Sequence, residues 1–304
     1  MKLGIKIGLK SNWKSDLLAT RPDFCEIWFD SRKISLYEPI FKFVREIGCQ
    51  VGLHFWGALP DGTLTNLAYP DKEILNASRT LVKKTIETAA KYDALYVNIH
   101  PGGTLLTRVD FERQQFLPYT KLLSYDTTLN ILRQSLEELS SFASVQGILF
   151  CVESVPYLAL GHPWHGKSGR YNPVNIGEIP ITELKRLLPM ENVYFANDFG
   201  HTCANLTIPD REIIKSWLFR TTLEFAQNTK LIHVSYIVPP YNGTDYHGSL
   251  YFDEFKTQAA LPNYSEMLEL LKVFKNRSDI HALVEPESDH IGNFKFLKIL
   301  VERL

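Results

Sequence analysis

Eight short apolar runs punctuate the chain, at 3–8, 25–29, 50–54, 94–100, 147–153, 193–198, 231–235 and 282–285. Several are rich in Val, Ile, Phe and Tyr, and none alternates strictly between apolar and polar positions. A strand covered on one face alternates, whereas a strand covered on both reads as a nearly continuous apolar run. The runs therefore predict a parallel sheet buried on both faces. Between them the period changes to that of a helix. Over 71–92, behind Pro70-Asp71, the residues Leu75, Ser78, Leu81, Val82, Ile86 and Ala89 fall near helical spacing. Over 128–143, Leu129, Leu132, Leu136, Leu139 and Ala143 form one stripe. Segment 210–227 follows Pro209, 264–275 carries Met267, Leu268, Leu271 and Phe274, and 35–47, 181–188 and 293–304 are weaker candidates.

Strand followed by helix, repeated along the chain, predicts an α/β protein: a single (β/α)8 TIM barrel over residues 1–304. An open doubly wound sheet would place a Gly-rich phosphate turn after the first strand. The segment Ile7-Gly8-Leu9-Lys10-Ser11 offers none. No linker, repeat or low-complexity stretch divides the chain. Three long loops, 57–66, 154–180 and 237–262, all follow strands. They are expected over the C-terminal face of the barrel, where such folds build their sites.

Composition narrows the functional classes. With 45% hydrophobic and 22% charged residues the chain is globular, not disordered. Its 33 basic and 34 acidic side chains give a formal charge of −1, so nucleic acid would have to be held by a local patch, not a global basic field. Cys25, Cys49, Cys151 and Cys203 form no CxxC pair, which argues against a thiolate zinc knuckle or a redox dithiol. Free buried thiols fit a reducing compartment. The opening Met-Lys-Leu-Gly-Ile-Lys-Ile-Gly is broken by lysines and lacks an apolar signal core, and no run approaches the length of a membrane helix. A cytoplasmic protein is the expectation.

The chemistry gathers at the strand ends. The last six strands end in, or lead into, His54, His100, Glu153, Asp198 with His201, His233 with Asp245 and His247, and Glu285. A parallel barrel brings such ends to one face. Glu153, Asp198 and Glu285 each close an apolar run, where an unpaired carboxylate costs several kcal/mol. No lysine or arginine falls at the other strand ends, so bound divalent cations are the expected counter-charge. Imidazole and carboxylate without thiolate fit Zn²⁺, Mn²⁺ or Fe²⁺, and five histidines among the nine donors lean toward zinc. Nine donors exceed the needs of one ion; with one bridging carboxylate they supply about three or four ligands to each of three.

The resemblance that follows rests on longer stretches. Asn66-Leu67-Ala68-Tyr69-Pro70-Asp71 is followed by a helix and then by Tyr96-Val97-Asn98-Ile99-His100-Pro101-Gly102. Later come Val152-Glu153-Ser154, Asp198-Phe199-Gly200-His201, Ile232-His233-Val234, Asp245-Tyr246-His247 and Val284-Glu285-Pro286. Together these resemble the endonuclease IV family of apurinic/apyrimidinic endonucleases (AP endonuclease family 2), within the xylose-isomerase-like TIM-barrel superfamily. The resemblance implies three zinc ions: one on His54, His100 and Glu153; one on Glu153, Asp198, His233 and Glu285; one on His201, Asp245 and His247. It implies phosphodiester cleavage of DNA at abasic sites by a metal-activated water, with Glu153 and Glu285 as the catalytic carboxylates orienting that water.

This chain departs from that pattern in its loops. The turn between His54 and Asn66 is longer than the family's and falls where the family presents residues that penetrate the duplex. The stretch after Glu153 is replaced by Ser154-Val155-Pro156 and a long loop, and the first strand lacks the family's histidine-containing opening. Arg32 and Trp56 stand where contacts to abasic DNA are implied, and the loop residues His165 and Lys167 are expected to line the substrate pocket. The alternative within the same superfamily is a sugar or sugar-phosphate isomerase or epimerase. Such enzymes resemble this chain at Glu153, Asp198, His233 and Glu285, which there bind one divalent ion while the two glutamates move protons beside a carbonyl.

Overall fold

In a computed structural model of the chain, described at every residue except 111, 114, 157–177, 189, 207, 242 and 244, eight parallel strands close into a barrel. The first four are β1 (Lys2–Ile7), β2 (Phe24–Phe29), β3 (Gln50–Phe55) and β4 (Tyr96–Ile99). After a hairpin outside the barrel, β5 (Thr107–Asp110) and β6 (Gln115–Pro118), come β7 (Leu149–Glu153), β8 (Val193–Asp198), β9 (Thr229–His233) and β10 (His281–Val284). Each barrel strand pairs with the next barrel strand in sequence, and β1 closes the ring against β10 with Lys2 opposite His281. All eight expected strands form.

Helices cover the outside: α1 (Trp13–Thr20), α2 (Ile34–Glu46), α3 (Lys72–Lys91), α4 (Tyr125–Val145), α5 (Ile181–Leu184), α6 (Phe199–Ala204), α7 (Arg211–Phe225), α8 (Tyr264–Lys272) and α9 (His290–Glu302). Several of their starts are set by side chains that satisfy orphan amides. Asp71 accepts from Glu73 and Ile74 at the head of α3, and Asp210 does the same for Glu212 and Ile213 at α7. Asn263 and Glu266 form a reciprocal capping box at α8. No described helix is long and apolar enough to cross a membrane. All four cysteines are free, and Cys25, Cys151 and Cys203 are buried.

Helix α1, helix α6 and the antiparallel β5–β6 hairpin differ from the sequence expectation. Helix α1 carries almost no amphipathic stripe, so periodicity does not reveal it. Helix α6 has six residues and the hairpin strands four each, too short to register as a pattern. The hairpin docks on the loop after β3: Leu64 N–H donates to Thr107 and Val109 N–H to Gly62. Asn66 ties the two loops together, accepting from the amides of Ala68 and Tyr69 while donating to the carbonyls of Gly103 and Leu105. Its place in the family-like stretch is thus a scaffolding one. A Cβ at Gly102, where φ is +76°, would lie 2.7 Å from the Asn66 oxygen, so only glycine fits there.

Alternation along the strands stacks the barrel interior in layers. Phe24, Tyr96, Cys151, Ala196, Leu231 and Leu283 form one apolar layer. Gly4 and Gly52 complete it by leaving room: a Cβ on either would sit inside the ring of Phe24 or Tyr96, at 2.5 and 2.2 Å. Two residues further along each strand, the same inward direction is occupied by Lys6, Glu26, His54, Asn98, Glu153, Asp198 and His233, with Glu285 just past β10. Every strand therefore contributes one polar group to a single ring above an apolar floor.

At the opposite end His281 is buried, with its ring 5.2 Å from Phe24 and 5.7 Å from Tyr96. Burial, helped by the charge of Lys2, pushes its imidazole down to about 4. The unfolded chain, with an ordinary histidine near 6.5, binds this proton first as pH falls. The neutral ring therefore contributes stability that is complete above about pH 6.5 and lost on acidification toward pH 4, worth about 3 kcal/mol. We expect the difference in unfolding free energy between the protein and a His281→Asn variant to shrink by that amount between pH 7 and 4 in urea titrations. A pH-independent difference would contradict it.

Candidate metal centre

The polar ring is built around three fixed imidazoles. His233 Nε2 lies 3.2 Å from Glu26 Oε1, which marks that nitrogen as the donor. Its Nδ1 then faces Glu153 Oε1 at 3.2 Å, Glu285 Oε1 at 3.4 Å and Asp198 Oδ2 at 3.6 Å. A lone pair surrounded by three carboxylates is repulsive unless a cation shares the space. His201 repeats the arrangement. Its Nδ1 lies 2.8 Å from the carbonyl of Ser154, an acceptor only, which leaves Nε2 directed at Asp245 Oδ2, 3.2 Å away. In His247, Nδ1 meets the carbonyl of Glu285 at 2.5 Å and Nε2 lies 2.7 Å from the same Asp245 oxygen. With both Nδ1 protons committed to carbonyls, the two Nε2 atoms and Asp245 need either two extra protons or a metal ion.

The ionisation of these groups follows from that demand. Burial pulls His201 and His247 down, but Asp198 and Asp245 raise His201 well above the usual histidine value, and Asp245 raises His247 to about 9. Burial pushes Glu153 up, yet His233 and His54 hold it well below the ordinary carboxylate range. Around Glu153 two further nitrogens stand alone. His54 Nε2 and His100 Nε2 are buried with no hydrogen-bond partner, 3.4 and 3.8 Å from Glu153 Oε2. Orphaned nitrogens beside an ionised oxygen are what a divalent cation satisfies. The residues present fit a metal.

All nine residues expected as ligands converge. Three sets bring their donor atoms within 4.8 Å of one another: His54, His100 and Glu153; Glu153, Asp198 and His201; His201, Asp245 and His247. The fourth such set is Glu26, His54, His233 and Glu285. Two of the three zinc sites implied by the family resemblance therefore appear as compact sets. The middle one is divided, with Asp198 drawn toward His201 and Glu285 toward Glu26.

One sequence expectation is overturned here. Cationic side chains are not absent from the strand ends: Lys6 of β1 is buried, with 7% exposure, among the carboxylates. Its ammonium donates to Glu26 Oε1 at 2.5 Å and to Glu285 Oε1, and its Nζ lies 2.5 Å from His54 Nδ1. Burial lowers its proton affinity, but Glu26, Glu285 and Glu153 outweigh this and raise it above an ordinary lysine. Glu26, also unforeseen, accepts in addition from the Tyr96 hydroxyl at 2.9 Å. The available signal was a charged residue inside each of two otherwise apolar runs, Gly4-Ile5-Lys6-Ile7 and Phe24-Cys25-Glu26-Ile27. Asn98, likewise unforeseen, donates to Glu153 Oε2.

Above the ring opens a cavity of about 320 Å³. Its floor is His54, His100, His201, Asp245, His247 and Glu285, and Trp28, Trp56 and Phe116 contribute an aromatic wall. Trp56 lies where a substrate contact was expected, 6.1 Å from Trp28. Arg32 does not line the cavity; its guanidinium is paired with both oxygens of Asp30 at 2.8 Å. His165 and Lys167 lie outside the described residues. Glu178, which sequence reasoning did not single out, also lines the cavity, and burial pushes its carboxyl up to about 7.

No family model matches the chain, and no curated protein matches it. Solved structures do. A D-tagatose 3-epimerase-like protein shares 14% identity at a TM-score of 0.66, over 100% of this chain and 98% of its own. A D-allulose 3-epimerase from Methylomonas sp., in complex with D-allulose, shares 12% at 0.62, over 98% and 96%. A Thermus thermophilus protein soaked with ZnCl2 shares 14% at 0.62, over 100% and 99%. The likeness shows the eight-stranded α/β barrel fold and does not single out endonuclease IV.

The ring's chemistry makes metal binding measurable without any substrate. Zinc or manganese at about 100 times its Kd is expected to stabilise the protein by about 2.7 kcal/mol, reversed by EDTA. Glu153→Gln, which weakens two overlapping donor sets, should lower the metal content found by mass spectrometry by at least one ion. Unchanged melting with either metal, together with metal-free protein after loading, would refute the centre.

Proposed function

We propose that this chain is a divalent-metal-dependent isomerase or epimerase acting on a sugar or sugar phosphate. The observation that carries this reading is the placement of Glu153 and Glu285. Both reach His233 Nδ1, at 3.2 and 3.4 Å, beneath a cavity of monosaccharide scale. A divalent ion bound with Asp198, His233 and these two carboxylates would polarise the substrate carbonyl and make the neighbouring C–H more acidic.

The chain's own residues do the rest. One of the two glutamates takes the proton from the carbon beside the carbonyl, and a proton from solvent, delivered through the other to the opposite face, inverts that carbon. Asn98 and Lys6 fix the two carboxylates by donating to Glu153 and Glu285. Trp28 and Trp56 supply a flat apolar wall for the C–H face of a sugar and exclude water from it. The reading is supported by the neighbours that share the fold, a D-tagatose 3-epimerase-like protein and a D-allulose 3-epimerase. The near-neutral charge and the pairing of Arg32 with Asp30 give duplex DNA little to hold.

The test is to load the protein with Mn²⁺, Co²⁺ or Mg²⁺ and offer ketohexoses and their phosphates in D₂O. Epimerised product carrying solvent deuterium at one carbon is expected, and Glu153→Gln or Glu285→Gln should lower kcat by about 10²–10⁴-fold. No exchange into any of these sugars would defeat the proposal.

One observation favours a second reading. A one-ion epimerase has no need for the set His201, Asp245 and His247, which is nevertheless complete. A metal-dependent phosphodiesterase acting on abasic DNA does use it. Combining Asp245→Ala with His247→Ala separates the two: abasic-duplex nicking would disappear, whereas epimerisation would survive in part.

A further inference from the structure

We propose that Lys6 fills the buried position between Glu26, His54, His233 and Glu285, and so caps the number of divalent ions the centre holds. The four side chains bounding that position are two imidazoles and two carboxylates with donor atoms within 4.8 Å of one another. Such a set suits zinc as well as any other in the ring. It differs from the other three in already containing an ammonium. Lys6 Nζ donates to Glu26 Oε1 and Glu285 Oε1 and lies 2.5 Å from His54 Nδ1, so it touches three of the four residues of the set. Its Nζ lies 5.2 Å from the centroid of the Trp28 ring. A divalent ion placed among the same atoms would meet the Lys6 nitrogen at contact distance.

Lys6 is absent from the cavity lining, to which His54 and Glu285 belong. It acts through those two side chains, as a positioning residue. The inference is separate from the epimerase reading, because it concerns occupancy and holds for any reaction at the centre.

The test compares zinc content after saturation and gel filtration, measured by mass spectrometry. Lys6→Met keeps an unbranched side chain, one atom shorter, without the amine. It is expected to carry one more zinc per chain than the wild-type protein, while Lys6→Arg stays at the wild-type value. Equal zinc content in wild type and Lys6→Met overturns the proposal. Should either variant fail to fold, anomalous diffraction at the zinc edge on zinc-soaked wild-type crystals still decides it. No peak at bonding distance from Glu26 is expected; a zinc about 2 Å from a Glu26 oxygen refutes it.

Discussion

Charge balance inside one layer of the barrel governs this protein. Eight strands send eight polar side chains to the same level, above a floor of Phe24, Tyr96 and their neighbours. Among them Glu26, Glu153, Asp198 and Glu285 bring four carboxylates against the single ammonium of Lys6. In a low-dielectric interior such an excess is intolerable unless histidines take up protons or metal ions enter. The second solution also supplies chemistry.

The ring shows how a scaffold chooses ligands by occupying the other end of each imidazole. Glu26 holds Nε2 of His233, and the carbonyls of Ser154 and Glu285 hold Nδ1 of His201 and His247. Each contact commits one nitrogen and turns the other toward the carboxylates. The backbone thereby contributes to the centre without coordinating anything. Ser235 adds to this by donating to Asp198 Oδ1 at 2.5 Å, while the other oxygen, Oδ2, faces His233. Residues that never meet a substrate decide where the reactive atoms point.

Much of this was legible in the sequence. Both-face burial makes the barrel strands continuously apolar, so all eight stood out; apolar stripes placed α3, α4 and α8, and Pro209 marked the start of α7. The nine donors were visible because each sits at, or soon after, the end of such a run. Helix α1 was hidden because it has no stripe, and the β5–β6 hairpin because its strands are four residues each. Lys6 and Glu26 were hidden for a different reason. In Lys2-Leu3-Gly4-Ile5-Lys6-Ile7, a lysine reads as a solvent-facing break in an apolar strand.

By itself, then, the chain's order of residues determined the strand–helix repeat, the barrel and the set of groups able to hold metal, because these depend on local period and on the fact that parallel strands end together. Only the closed tertiary structure decided which carboxylate faces which imidazole, that Lys6 points inward, and that Asn66 ties loops together. Those outcomes depend on strand register and barrel closure, which bring residues as far apart in sequence as Lys6 and Glu285 into contact. No local pattern of the chain encodes that proximity.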